Sequence, residues 1–519
     1  MANLKQGNRS QGMFLTINLS DQLIPGTFEW TIDYLFDKID MSLFEQNYHN
    51  DECGAAAYPP RALLKLILFC YSRGILSSRR IERASKENVT AKALADDFEP
   101  DHDTIAGFLT TNGEAVKNLF TQVLMQCDKL KLINGEMFAI DGCKLPSNAS
   151  KEWSGTIKDL TKKRDKLEKY VTRLLHQHHE LDKNEDAKKK LDQFRKTMGD
   201  DKKRRARSIR RLEKRLHKLN EFLTDAMPRK GVSKDEIKSN ITDNESALIK
   251  GPHGYIQGYN GISIADSANQ VIISAEAIGS GPESGSFPEM LKNLNENMQV
   301  ISGKKKPLKK ALLEGDTGFF TEDNLQAASE MGVEVLIPDP QFRQRDPYFA
   351  EKKEEKVEKS NKKFSQEDFI YNEDDSYTCP AGKTLKYQGD IELRNNTGRK
   401  YQAKAGDCST CPLAAQCITV RDKKNHDVKT PRSLYITYMR YEKNLSKEMK
   451  EKIDDPVYRE LYSRRMQIIE PVFADITQCK GMDRFTLRTK EKVNSQWLLY
   501  CIVHNIGKCV KPLGKKLRA

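Results

Sequence analysis

The chain has 519 residues, 87 Lys and Arg against 74 Asp and Glu, and a formal net charge of +13. That length exceeds a usual single domain, and a basic excess suits a protein that holds a polyanion such as DNA, because cationic side chains displace condensed counterions. No apolar run is long enough to span a bilayer, so a membrane-spanning helix is not expected.

The stretch Met1–Gly7 is polar and lacks the apolar centre of a secretory leader. Eleven cysteines, an odd number spread over a long chain, argue against a disulfide framework and for a cytoplasmic protein.

Residues 1–125 read as mostly helical. Arg61–Gly74 is an amphipathic run through Ala62, Leu63, Leu64, Leu66, Ile67, Leu68 and Tyr71. Ser77-Ser78 suits the cap of a second helix, and Asp101 or Asp103 the cap of a third. Arg79, Arg80 and Arg83 are placed either to touch phosphates or to form a solvated face. This segment is expected to bind DNA or to dimerise.

In residues 126–155, Met137-Phe138-Ala139-Ile140 leads into Asp141, the pattern of a buried strand with a carboxylate at its tip. Residues 156–230 are dominated by charge, with Leu160, Leu167, Leu174 and Leu181 at heptad spacing. Ile209, Leu212, Leu216, Leu219 and Leu223 follow in a three-four rhythm, and Asp182–Asp186 and Gly199-Asp200-Asp201 are candidate interruptions. The spacing predicts an inserted helical hairpin or short coiled coil. His176, His178 and His179 read as a solvated face rather than a metal site.

Across residues 231–345, Tyr259–Asp266 and Gln270–Ala275 read as a hairpin turning at Ser267-Ala268-Asn269. Helices are predicted at 287–298 and 322–331, and a short buried strand at 333–338. Asp316 follows Ala311–Gly315 as a second strand-end acid, with Glu314 two residues back as its rival on the same strand face. In residues 346–430, Cys379, Cys408, Cys411 and Cys417 include a Cys-x-x-Cys knuckle suited to tetrahedral zinc. Four thiolates leave no open coordination position, so such a site would be structural and would fold a segment poor in apolar core. Residues 431–519 carry Glu470 in a helical stretch, Arg464–Phe473.

The order strand, insert, hairpin, helix, strand, helix, strand fits an α/β fold with an RNase H-like mixed-sheet core. To it are added a helical N-terminal domain, a coiled-coil insertion and a small zinc-ribbon-like insertion. Two strand-end aspartates and a helical glutamate on a basic chain suit two-metal phosphoryl transfer, because Mg²⁺ (or Mn²⁺) prefers oxygen ligands. An ion pair about 4 Å apart stabilises both the attacking and the leaving oxygen.

Four stretches resemble bacterial insertion-sequence DDE transposases with a helical N-terminal domain. They are Tyr58–Lys65 with Tyr71–Gly74, Ser77–Arg83 and Pro100–His102; Asp141-Gly142-Cys143-Lys144 with Asn148–Lys151; Thr242-Asp243 with Gly258-Tyr259-Asn260; and Glu470-Pro471-Val472-Phe473. The resemblance implies cleavage at the element's ends and joining of the freed 3′-hydroxyl to target DNA. It implies Asp141, Asp316 and Glu470 as the metal-binding catalytic set, with DNA contacts from Lys144, Tyr462, Arg465 and Lys480. Ser463, Met466 and Thr477 stand where the family commonly carries Tyr, Arg and Lys; Tyr462 and Arg465 are one place off and Lys480 three beyond. The implied partners are double-stranded DNA (terminal inverted repeats and target) and a second copy of the chain. The implied place is the bacterial cytoplasm, at the nucleoid when DNA is bound. The alternative is an inactive or domesticated transposase-derived DNA-binding protein.

Overall fold

A computed structural model describes residues 18–48, 56–183, 195–231, 236–251, 254–346, 364–393, 396–417, 431–437 and 444–516. The N-terminal helices begin where polar residues take up free N–H groups. Thr27 accepts from Trp30 N–H at the start of Phe28–Phe36, and Pro60 opens Pro60–Ser72. Asp101, of the two candidates, caps His102–Thr111 by accepting from Thr104 N–H at 2.7 Å. Ser77 holds the cap position of Ser78–Glu87, but its hydroxyl makes no capping bond.

Phe28–Phe36, Pro60–Ser72 and His102–Thr111 pack, together with Gly113–Lys129, on the long C-terminal helix Lys490–Lys516, and Ser78–Glu87 packs on Pro60–Ser72 and His102–Thr111. Ile67, Leu119 and Leu124 join Val503 and Ile506, and also Ile140, Ile264 and Ile272 of the sheet, in one apolar cluster. The core therefore runs across residue 125 without a break.

The strands are β1 (Met137–Pro146), β2 (Ser154–Gly155), β3 (Ser239–Asn240), β4 (Ala247–Gly251), β5 (Gly254–Asp266), β6 (Ile272–Ile278), β7 (Leu312–Gly315) and β8 (Glu334–Leu336). The main sheet runs β4-β5-β1-β7-β8, with β6 also on β5. β5 pairs antiparallel with β1 and β6, whereas β1 pairs parallel with β7, and β7 with β8. The fold is thus mixed α/β with a mixed sheet and a helical N-terminal region. The β5–β6 hairpin turns where expected: Asp266 accepts from Ala268 N–H (2.9 Å), and Gln270 takes a positive φ of 60°.

Helices Ile157–Lys183 and Arg195–Asp225 pack against each other, rooted by the β2–β3 pair. Leu160, Val171, Ile209 and Leu219 are buried. Met1–Gly7, the side chains of His178, His179 and Leu181, and residues 184–186 of the first expected break lie outside the described residues.

Strands β9 (Ile370–Asn372), β10 (Ser376–Thr378), β11 (Thr384–Leu393), β12 (Asn396–Ala403) and β13 (Ser433–Thr437) form a second, antiparallel sheet. Its core is small: Phe369, Leu385, Tyr401, Ala403, Cys408 and Leu434. β13 lies past the expected boundary at residue 430, because it completes this sheet by pairing with β12. Among the described residues no helix is long and apolar enough to cross a membrane.

Candidate active site

Phe138, Ala139 and Ile140 are fully buried and carry β1 outward to the half-buried Asp141. The parallel register Ala139↔Glu314 and Ile140↔Gly315 continues, one step on, to Asp141 beside Asp316. Side chains alternate along a strand, so Asp141, Asp316 and Glu314 share one sheet face. Asp316 is exposed and accepts from Thr317 N–H (2.8 Å), which starts a short 3-10 turn. Glu470 is an exposed residue of Arg465–Ala474, a helix that packs across β1 and β5 and continues into a π-helical turn, Asp475–Cys479. Its charge, after those of burial and Asp141, helps push the nearby Cys143 thiol up to about 12.

The same helix brings Arg465 against the sheet. Its Nη1 donates to Asp141 Oδ2 at 2.9 Å, with the two side chains only 11% and 18% exposed. The other oxygen of Asp141 accepts from Gly142 N–H (2.8 Å). Burial works against the charge of Arg465, but Tyr462 and Asp141 together raise the guanidinium above its ordinary value. Burial also pushes the Tyr462 hydroxyl up to about 12 while Arg465 pulls it down, and the ring packs edge-on against Phe342.

Glu314 is fully buried, and neither carboxylate oxygen has a hydrogen-bond partner among the described residues. Burial pushes its carboxyl up to about 7 against the pull of Arg465 and Arg464. Between the rivals of β7, Asp316 is therefore the acid at the mouth and Glu314 the one beneath it.

A fifth carboxylate, Glu283, adjoins the site and has no local signal in the sequence, since it lies in a Gly-Pro-rich connection after β6. Asn260 Nδ2 donates to it at 2.6 Å. Burial raises its carboxyl, and Asp141 and Asp316 add to the rise while Lys144 opposes it. Asn260 and Glu283 also explain the Asp-Gly dipeptide: a Cβ on Gly142 would lie 2.7 Å from Asn260 Oδ1 and 2.8 Å from Glu283 Oε1. Asn260 Oδ1 is itself buried without a partner among the described residues.

Lys144 is exposed on β1, and Arg79, Arg80 and Arg83 are exposed on Ser78–Glu87. Lys480 is instead drawn inward, ion-paired with Asp475, whose carboxylate also meets the buried His504 Nδ1 at 2.6 Å. That network braces the helix that carries Glu470. The cysteines Cys379, Cys408, Cys411 and Cys417, all unbridged, line one small cavity beside the second sheet. Cys379 forms a tight knuckle in which its Sγ accepts from Lys383 N–H (3.3 Å) behind Gly382 at φ 72°.

Among the described residues, no three His, Cys, Asp or Glu side chains are gathered closely enough to hold a metal ion. The carboxylates around Asp141 nevertheless offer oxygen donors, and two buried oxygen groups there, Asn260 Oδ1 and Glu314, lack partners among the described residues. That chemistry fits a hard divalent cation once Asp141 is freed from Arg465.

Two family models match the chain. One, described as a transposase DDE domain, covers residues 378–510, and the other, described as a transposase domain (DUF772), covers residues 18–111. Together they indicate an insertion-sequence DDE transposase. The first match includes Glu470 and the four cysteines, whereas Asp141 and Asp316 lie in the stretch between the two. No curated protein matches the chain.

Proposed function

We propose that this chain is an RNase H-like, metal-dependent polynucleotidyl transferase. It would cut at the ends of an insertion element and join the freed 3′-hydroxyl to target DNA. The observation that carries this reading is the parallel pairing of β1 with β7, which sets Asp141 beside Asp316 on the face crossed by the Glu470 helix. Asp141, Asp316 and Glu470 are the residues that would hold two Mg²⁺ or Mn²⁺ ions. When bound, such ions supply Lewis-acid stabilisation of the attacking and leaving oxygens.

The protein's own groups position the DNA. Arg465 and Tyr462 lie at the carboxylates, where a guanidinium and a phenol orient a scissile phosphate. Lys144 contributes a phosphate contact beside β1, and Arg79, Arg80 and Arg83 offer contacts that fix register without reading sequence. The substrates would be double-stranded terminal repeats and target DNA in a bacterial cytoplasm, and two chains would bring two ends together. The thiolates of Cys379, Cys408, Cys411 and Cys417 would hold a structural zinc that ties the Cys379 knuckle to the segment around Cys408.

The test is cleavage of a labelled duplex bearing the element's ends, with and without Mg²⁺ or Mn²⁺. Metal-dependent cleavage lost in Asp141→Ala, Asp316→Ala and Glu470→Ala, with DNA binding kept, is expected. Cleavage that survives Asp316→Ala would move the second ligand to Glu314. Tight, salt-sensitive DNA binding by a wild type that never cleaves would establish the inactive DNA-binding alternative instead.

A further inference from the structure

Both oxygens of Asp141 are engaged, one by Gly142 N–H and the other by the Arg465 guanidinium. A backbone N–H leaves a carboxylate lone pairs to spare, but a buried guanidinium occupies the approach that a cation would use. Divalent binding at Asp141 therefore requires Arg465 to move. Displacing a charge that is 11% exposed without giving it a new partner is costly.

One carboxylate stands ready for it. Glu314 is on the same sheet face, one strand over from Asp141 and one side-chain step inward from Asp316, fully buried and with both oxygens unpartnered among the described residues. Arg465 is already the foremost charge acting on it. Diagonal neighbours of this kind are separated by about 7 Å, a span a long side chain covers by rotamer change. Two free carboxylate oxygens also match the planar fork of a guanidinium.

We propose that Glu314 is a positioning residue that receives Arg465 when Asp141 turns to a divalent cation. The guanidinium exchanges the carboxylate at the mouth of the site for the buried one beneath it. Its positive charge then stays next to the reacting phosphate without competing with the metal. This rests on metal binding at Asp141 as proposed above.

The exchange is tested by calorimetric titration of Mn²⁺ into the full chain without DNA. Asp141→Asn is expected to abolish binding, and Arg465→Gln to tighten it, because Asp141 is then free. Glu314→Gln is expected to weaken binding about tenfold when Arg465 is present and to change it less than about twofold in the Arg465→Gln background. Glu314→Leu, which removes an unpartnered buried carboxyl and so retains the fold, is expected to behave alike.

Equal weakening in both backgrounds would make Glu314 a direct ligand and overturn the exchange. Unchanged affinity in Glu314→Gln with Arg465 present, or weaker binding in Arg465→Gln, would overturn it as well. Mn²⁺ binding that survives Asp141→Asn would overturn the metal site itself, and the exchange with it.

Discussion

Replacing Gly142 by alanine isolates the contact that holds the carboxylate strand in place. Its backbone is not in the left-handed region, so alanine brings no torsional cost and only the methyl group counts. That methyl would lie 2.7 Å from Asn260 Oδ1, 2.8 Å from Glu283 Oε1 and 2.9 Å from Asn260 Nδ2. All three atoms are side-chain ends, so they yield by separating, at the expense of the 2.6 Å hydrogen bond between Asn260 and Glu283. A hydrogen bond to a charged group contributes about 1.5–3 kcal/mol, and overpacking costs about 1–3 kcal/mol. The two overlap, because breaking the bond relieves the crowding, which leaves a net loss of about 2–3 kcal/mol.

The assay is thermal unfolding of the metal-free chain, read on the transition of the sheet core, for Gly142→Ala alone and in an Asn260→Ala, Glu283→Ala background. With the obstructing side chains removed, the cost of the alanine should fall below about 0.5 kcal/mol. A similar cost in both backgrounds would refute the steric account, as would a loss below about 0.5 kcal/mol in the otherwise wild-type chain.

Other consequences concern charge and metal. The Glu314 carboxyl is raised from 4.5 to about 7 in the fold, so the folded chain binds its proton more tightly than the unfolded one. Stability from this group is full below the unfolded value and declines as pH rises through that window, by at most about 3 kcal/mol. The melting temperature of Glu314→Gln should therefore gain on that of the wild type between pH 5 and pH 8, and a constant difference would contradict this. Asp475 behaves oppositely: despite burial, His504 and Lys480 hold its carboxyl down to about 2 from 3.8. Its contribution is present above the unfolded value and lost as pH falls through the folded one, so Asp475→Asn should cost about 2 kcal/mol at pH 6 and less at pH 3. A cost that does not shrink in urea titrations at the two pH values would dismiss the pairing. Purified chain should carry about one zinc by atomic absorption, lost in Cys408→Ser with Cys411→Ser, because paired thiolates dominate such a site; an unchanged metal content would rule out these cysteines.

Much of the frame was legible locally. The run into Asp141 has the apolar continuity of a strand buried on both sides, and Tyr259–Asp266 has the same character up to its turn. Helix Glu322–Met331 has the expected limits, because Thr321 caps one end and Gly332, at φ 70°, ends the other. The second sheet was less legible: only its cysteines stood out, because short strands in a polar segment have too few apolar positions to set a period. Lys480 entered as a DNA contact only through the family resemblance, yet a π-helical turn after Ala474 rotates it onto Asp475.

The sequence by itself determined which segments become strands and helices and where the acids stand along them, because periods of two and 3.6 residues and capping chemistry act over a single turn or pleat. Only the tertiary structure decided which acids meet and in what state. The register of β1 against β7 puts Asp316 in solvent and Glu314 beneath it. Arg465 reaches Asp141 across 324 positions of chain, and Glu283 enters the neighbourhood through Asn260. Such contacts depend on how separate elements dock, and docking is driven by burial of apolar faces that are indifferent to the order in which the chain supplies them.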